Sequence, residues 1–416
     1  MGKNKLKLKK IILLVSVIIV IVIAAVAYNF FSWFIPKKTD MDVSHMTSSD
    51  SMSDIFINSE TDGTDNGFNE LITLMDNEDL HFYKTSEIDG MIAEDDVIIL
   101  KINSQWDQRG GTNVDLVKSV IDAILNHPNN FNGEIVIADN GQGQFGTNNN
   151  GGRMDWDMAN GVDRSFSMQD LADTYINAKV SAYSWDKITK IEVDEFSDGD
   201  MIEGFVLYDQ VDDETKITVS YPKFVTEFGT SISFKYGIWD ENQEVYDSDR
   251  LKVINMPVLK SHMTYGVTGA MKSYMGVPSD KLTRNAHPTI GIGSMGTMMV
   301  ETRMPVLNIV DAIYVNAHTD RSTRGPSTNY EDATFTHTVL VSTDPVALDY
   351  YAAGTILYPE MEANGDELEL KHQRDSREVG SLGYWLTLSM NELHQGGYDC
   401  VIDENNMNIY YVDSRK

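Results

Sequence analysis

DVIILKINSQWDQRGGTNVDLVKSVIDAILNHPNNFNGEIVIADNG, residues 96–141, decides the fold. DVIILKIN is an apolar run of strand length that ends in Lys101 and Asn103. TNVDLVKSVIDAILNHP places Val117, Val120, Ile121, Ile124 and Leu125 on one face and stops at Pro128, the pattern of a helix. GEIVIADNG is a second buried strand. Strand, helix and strand within some 45 residues predict a parallel βαβ unit, because an antiparallel pair needs no such crossover.

The rhythm resumes downstream. RLKVINMP, PVLNIVDAIYV and HTVLVSTDPVALDYYAAGTIL read as strand, strand, and strand followed by helix, and a further helix is expected near Gly380–Leu393. Between the two halves, KIEVDEF, GFVLYDQ, KITVSY and SISFKY are short alternating runs divided by Asp and Gly turns, which predicts an antiparallel β insertion at about 188–250. Ser167 and Asp170 form a capping box for a helix running to about Tyr183. The expected fold class is therefore α/β, a mostly parallel central sheet with flanking helices over 91–397 and that insertion. YDCVIDENNMNIYYV, within 398–416, is expected to close the chain as a hairpin.

The N-terminus carries a different signal. MGKNKLKLKK holds five lysines, and Ile11–Ile35 then runs 25 residues without a charge. At 1.5 Å per residue this length crosses a hydrocarbon layer of about 30 Å, with Tyr28, Phe30, Phe31 and Trp33 as an interfacial belt. The lysine excess puts residues 1–10 in the cytoplasm and makes 11–35 the transmembrane anchor of a single-pass protein with its main domain outside. A cleaved signal peptide ending at Ala25-Val26-Ala27 is the competing reading, though the apolar run continues well past that site. Residues 36–69, rich in Ser, Thr, Asp, Asn and Gly, read as a flexible stalk, and the amphipathic NELITLMDNEDL that follows is expected to pack at the domain edge, within an acidic stalk and linker spanning 36–90.

The 416 residues hold 33 Lys and Arg against 63 Asp and Glu, a net charge of −30. Seven of those lysines lie within the first 38 residues, which contain no acid, so the remainder is more acidic still. Such a body repels nucleic acid, which is not expected as a partner. One cysteine, Cys400, excludes an internal disulfide and an iron–sulfur cluster.

Against that background NMPVLKSHMTYGVTGAMKSYMG, residues 255–276, reverses the sign. From Leu251 to Val300 there are five basic residues and one acid. Lys260 and Lys272 among glycines and small residues suit a close pocket for a small anionic molecule, with Thr268 beside them and Lys101 and Asn103 arriving from the first strand. His262 and Lys272 are the candidate acid/base groups, since imidazole and a desolvated amine both titrate near neutrality. In a parallel sheet the carboxyl ends of strands share one edge, which would gather Lys101, Asn103, Asp139, Lys260, His262, Asp311 and Asp344. Asp139 and Asp311 could hold a divalent metal, or could serve as internal partners for the lysines. Asp344-Pro345 also has the form of a helix cap. The Gly- and Asn-rich stretch 139–156 is expected as a flexible loop over the active face, at a nucleotide site.

LKIN at 100–103, IADNG at 137–141, the 255–276 stretch, NIVDAI at 308–313, RGP at 324–326 and DPVALD at 344–349 together resemble domain of unknown function family 362. The resemblance covers roughly residues 91–358 and falls on Lys260, His262, Thr268, Lys272, Gly276, Asp344 and Asp349. Two departures stand out: Ser273 occupies the place where many members carry asparagine after the second lysine, and the ferredoxin-like cysteine cluster of many members is absent. The family implies a fold and leaves the activity open, whether enzyme or non-catalytic binding or structural protein.

Overall fold

The computed structural model describes residues 51–143, 152–262, 264–318, 329–365 and 373–412. The expected cytoplasmic tail and membrane span, the middle of the Gly/Asn loop (144–151) and the RGP motif lie outside these residues. Among the described residues no helix is long and apolar enough to cross a membrane.

The first correction concerns the expected stalk. Its second half folds into the body as strand β1 (Ser53–Asn58) and helix α1 (Gly67–Asn77). SDIFIN is short, but Ile55, Phe56 and Ile57 are almost fully buried, and the strand sits inside the main sheet rather than beside it. α1 turns Phe68, Leu71, Ile72 and Met75 inward, a spacing that places them on one helical face.

β2 (Val97–Ile102), α2 (Val114–Leu125) and β3 (Glu134–Asp139) form the expected unit, with β2 and β3 parallel neighbours. Asn113 caps α2 by accepting from the amides of Asp115 and Leu116. Val117, Val120, Ile121 and Ile124 are buried against the sheet, each such side chain contributing about 1.5–3 kcal/mol. The capping box at Ser167 is present, but the helix it opens, α3 (Met168–Asp173), is shorter than expected. The chain leaves it so that Val180–Ser184 can join the sheet as β4, parallel to β3, and tertiary pairing overrides the local helical pattern.

The insertion is a separate five-stranded antiparallel sheet, β5 (Gly204–Val211), β6 (Thr218–Val225), β7 (Ser231–Ser233), β8 (Gly237–Asp240) and β9 (Val245–Asp247), in sequential order. KIEVDEF supplies no strand to it; only an isolated bridge forms at Glu192.

The main sheet then resumes with β10 (Leu251–Met256), which pairs in parallel with β2 as far as Met256 opposite Ile102. Pro257 lacks an amide hydrogen and ends that ladder. β11 (Val258–His262) leaves β2, pairs with β13 (Leu307–Asn316), and folds back on β12 (Gly266–Thr268). The short helix α4 (Ala270–Ser273) follows at once, then α5 (Ser294–Glu301) before β13. β14 (Thr334–Ser342), α6 (Pro345–Ala352), α7 (Leu382–Gln395) and β15 (Met407–Tyr411) complete the chain. The order across the sheet is β15-β1-β14-β13-β10-β2-β3-β4, and the five strands from β13 to β4 are mutually parallel.

Two expectations fail here. β14 runs antiparallel to β13, with Ser342 opposite Asn308 near the start of β13, so Asp344 emerges at the opposite edge from Asp139. It caps α6 instead, accepting from Val346 and Ala347, with Ser53 and the Val401 amide on its other oxygen. The C-terminal segment is no hairpin either. β15 is a single strand that pairs in parallel with β1, because the edge beside β1 offers a ladder that a two-stranded hairpin alone could not match.

Candidate functional site

The parting of β11 from β2 at Pro257 opens a crevice at the carboxyl edge of the parallel strands, where open α/β sheets take ligands. Asn103 spans the gap: its Oδ1 accepts from the Val258 amide at 3.0 Å and its Nδ2 donates to Ser273 Oγ at 3.3 Å. Thr112 fixes the same corner, accepting from the Asn103 amide and donating to the Met256 carbonyl. The cavity is lined by Asn103, Gln105, Asp139, Gln142, Lys260, Thr268, Lys272, Ser273, Met275 and Gly276. It leaves about 20 Å³ for the centres of water-sized groups, the scale of a molecule of a few heavy atoms and too small to enclose a nucleotide.

Three buried lysines meet at this point, and their surroundings differ. Lys101 is fully buried on β2 and well supplied: Asp139 Oδ1 lies 2.8 Å from its Nζ, which also donates to the Ile102 carbonyl and to Ser273 Oγ. Asp139 is held in turn by the amide and hydroxyl of Ser104 and the Gly141 amide. Lys260 faces Thr268 across the β11–β12 hairpin, which puts both side chains on the cavity side, and its Nζ donates to the Gly110 carbonyl. Lys272, 6 % exposed on α4, has no hydrogen bond and no ion pair among the described residues. Burial first, then the charge of Lys272, brings Lys260 down to about 7. Burial first, opposed by Asp280 and reinforced by Lys101, brings Lys272 down to about 8. Burial likewise lowers Lys101, with Asp139 acting against it. An amine removed from water without a counter-ion gives up its proton more easily, which is what these shifts express.

The hydroxyls point to the same deficit. Thr268 Oγ1 is buried and has no hydrogen-bond partner among the described residues. Ser273 Oγ accepts from Lys101 at 3.0 Å and from Asn103, while its own proton has no acceptor among them. Lys272, Thr268 and Ser273 thus all offer donor capacity to the cavity.

α4 is held from behind. Asp349, on α6, accepts from the amides of Ala270 and Met271, the first residues of the turn that carries Lys272. Burial raises its carboxyl to about 7. A Cβ at Gly269 would stand 2.2 Å from Asp349 Oδ1, and one at Gly276 would stand 2.0 Å from Asp139 Oδ1 and 2.6 Å from Lys101 Nζ. Both glycines are required by close approach rather than by an unusual φ.

Other expected site residues lie elsewhere. His262 does not line the cavity; its Nδ1 accepts from the Thr264 and Tyr265 amides at the hairpin turn, and its ring packs near Tyr265 and His287. His287 lies within electrostatic reach of Lys272, and burial first, then Lys272, lowers it to about 3. Asp311 is buried beside the start of α2, accepting from the Asn113 amide, Asn160 and the Ile313 amide. Burial raises it to about 6. Asp139 and Asp311 therefore serve different neighbours, and among the described residues no three His, Cys, Asp or Glu side chains gather around a common point. Ser273, Gln105 and Gln142 escaped the sequence reading. Ser273 alone carried a signal, its place next to Lys272, whereas the glutamines reach the cavity only through the tertiary fold.

An α/β sheet whose parallel strands part over a buried lysine cluster is the class of protein that this geometry defines. Residues 98–354, more than half of the chain, match the family model described as Domain of unknown function (DUF362), and the protein belongs to that family. Comparison with curated proteins and with solved structures finds no match.

Proposed function

We propose that the protein is a membrane-anchored extracytoplasmic domain that binds a small anionic ligand in the Lys260/Lys272 cavity. The observation that carries this reading is Lys272: a buried amine with no acceptor among the described residues, facing the same cavity as Lys260 and a Thr268 hydroxyl that has no partner among them either. A ligand carboxylate or similar group would supply the acceptors these donors lack and would restore the charge of both amines. Purely internal pairing, the alternative, accounts for Lys101 with Asp139, whereas among the described residues Asp139 and Asp280 act on Lys260 and Lys272 only from beyond ion-pair distance. The localisation follows from the lysine-flanked apolar run 11–35, and protease accessibility of the main domain on intact cells tests it.

Thermal unfolding of the full-length protein against acetate, oxalate, pyruvate, phosphate and sulfate tests the binding. At a hundred times Kd a ligand that binds only the folded state adds about 2.7 kcal/mol. Lys272→Met should abolish the response; equal responses in the two proteins would remove the reading. Affinity should also fall as pH rises through about 8, because Lys260 and Lys272 then lose the protons that hold the anion. The ligand-free protein should show the opposite trend. Both folded-state values lie below that of a free lysine, so between about 8 and 10 the unfolded chain holds more protons and these two groups make stability rise with pH.

A further inference from the structure

We propose that Lys272 is an imine-forming amine whose substrate is a small 2-oxo acid, with the carboxylate held against Lys260 and the carbonyl carbon meeting the Lys272 nitrogen. This rests on the reading of the cavity as an anion site and adds the chemistry that the site performs.

Four features of the geometry converge on it. Lys272 has no acceptor among the described residues, so its lone pair is not committed and its charged form is disfavoured. Lys260 stands in the same cavity with its nitrogen already donating to the Gly110 carbonyl, and a bound carboxylate would favour its charged form, which gives the carboxylate a place that does not consume the nucleophile. Ser273 Oγ, the next residue along, accepts from the Lys101 ammonium and from Asn103, an arrangement that makes its hydroxyl a better proton donor to a developing alkoxide. Asp139 Oδ1, 2.8 Å from Lys101 Nζ, favours the charged form of Lys101 against its burial, so a proton given up by Ser273 can be replaced from Lys101. The space, about 20 Å³ for the centres of water-sized groups, is on the scale of a molecule of a few heavy atoms such as a three-carbon acid.

The step balances without an added oxidant or reductant. The Lys272 lone pair forms the nitrogen–carbon bond as the carbonyl π pair moves to oxygen, which takes a proton from Ser273. The nitrogen gives a proton back to Ser273, the carbinolamine hydroxyl takes that proton in turn and leaves as water, and the nitrogen pair forms the C=N bond of a protonated imine, whose remaining N–H proton returns to Ser273. Amine plus ketone becomes imine plus water, the activated state of the lysine enzymes that work on carbonyl substrates.

Reductive trapping tests this. The full-length protein is incubated at pH 8 with pyruvate and sodium borohydride, digested, and the carboxyethyl adduct measured at each lysine. At that pH about half of Lys272 is the free amine, against roughly one part in three hundred of an ordinary lysine. Even with restricted access, Lys272 should carry about ten times more adduct than the half-exposed Lys118. Lys260→Met should lower the Lys272 adduct severalfold, and acetone, a ketone without the carboxylate, should give no enrichment. Adduct at Lys272 no greater than at Lys118, adduct concentrated on Lys260, or equal trapping of acetone and pyruvate would each overturn the proposal. The two layers separate cleanly. If pyruvate stabilises the protein in a Lys272-dependent way without enriched adduct, the anion site stands and the imine falls; if neither effect appears, both fall.

Discussion

Two regions of this molecule bury lysines, and they do so in opposite ways. In the antiparallel insertion, Lys223 on β6 is fully buried and its Nζ donates to the carbonyls of Asp194 and Asp200, lies 4.0 Å from the Asp200 carboxylate and sits over the Phe196 ring at 4.5 Å. At the edge of the parallel sheet, Lys272 is just as deep and has none of these contacts among the described residues. Lys223 shows what the chain does when it needs an ammonium for structure: it surrounds the charge with acceptors. The absence of such acceptors around Lys272 is therefore a property of that site rather than of buried lysines in this protein. Stability favours filling such a gap, and its staying open among the described residues is what supports the proposed anion site.

The comparison breaks most directly by replacing each lysine with methionine, which keeps the length of the side chain and removes the charge. Lys223→Met leaves two carbonyls without their donor and should cost about 3 kcal/mol in denaturant unfolding, with no change in the response to anions. Lys272→Met deprives no protein group of a partner, so its stability at pH 7 should stay within about 1 kcal/mol of the parent. If the two substitutions cost the same, the distinction between structural and ligand-binding lysine is lost. A smaller effect is expected at Gly276. Gly276→Ala drives a methyl into the contact between Asp139 and Lys101 and should cost about 2 kcal/mol while also weakening the anion response. A loss of stability with an intact response would show that the Lys101–Asp139 pair serves the fold alone.

Much of this was readable before the fold was known, and the unreadable parts have physical reasons. The βαβ frame, the antiparallel insertion and the lysines of 255–276 all rest on local periodicity or composition, which a sequence displays directly. β1 was hidden, and β15 was given the wrong partner, because each is a short segment whose pairing depends on a strand far away in the chain, and the two pair with each other. Asp344 was assigned to the wrong edge because the direction of β14 is a matter of topology that its own residues do not encode. His262 looked catalytic by its place between the lysines. The hairpin, however, uses its Nδ1 at the turn at Thr264 and Tyr265, and His287, twenty-five positions on, lies within electrostatic reach of Lys272. Nothing in the sequence marks Lys101 as paired and Lys272 as unpaired; only the packing of β2 against β3 decides that.

The smallest of these effects asks how Lys272 comes to be held where it is. α4 is one turn long, too short to stand by propensity, and Asp349 anchors it by accepting from its first two amides. Asp349→Asn keeps the shape but can offer only one oxygen, so its amide nitrogen must face one of the two N–H groups; the expected cost is about 1 kcal/mol at neutral pH. The pH dependence distinguishes this from a generic loss of packing. Burial raises the carboxyl to about 7, so the folded protein holds that proton between about pH 4 and 7 while the unfolded chain releases it, and this group's contribution to stability declines as pH rises through that window. Asparagine has no proton to lose. The deficit of the variant should therefore be larger at pH 5 than at pH 8, as measured by urea midpoints for the two proteins. Because the turn also aims Lys272 at the cavity, Asp349→Asn should weaken the response to anions more than its modest loss of stability would suggest. A variant with the stability loss and an undiminished response would mean that the lysine finds the ligand without the turn.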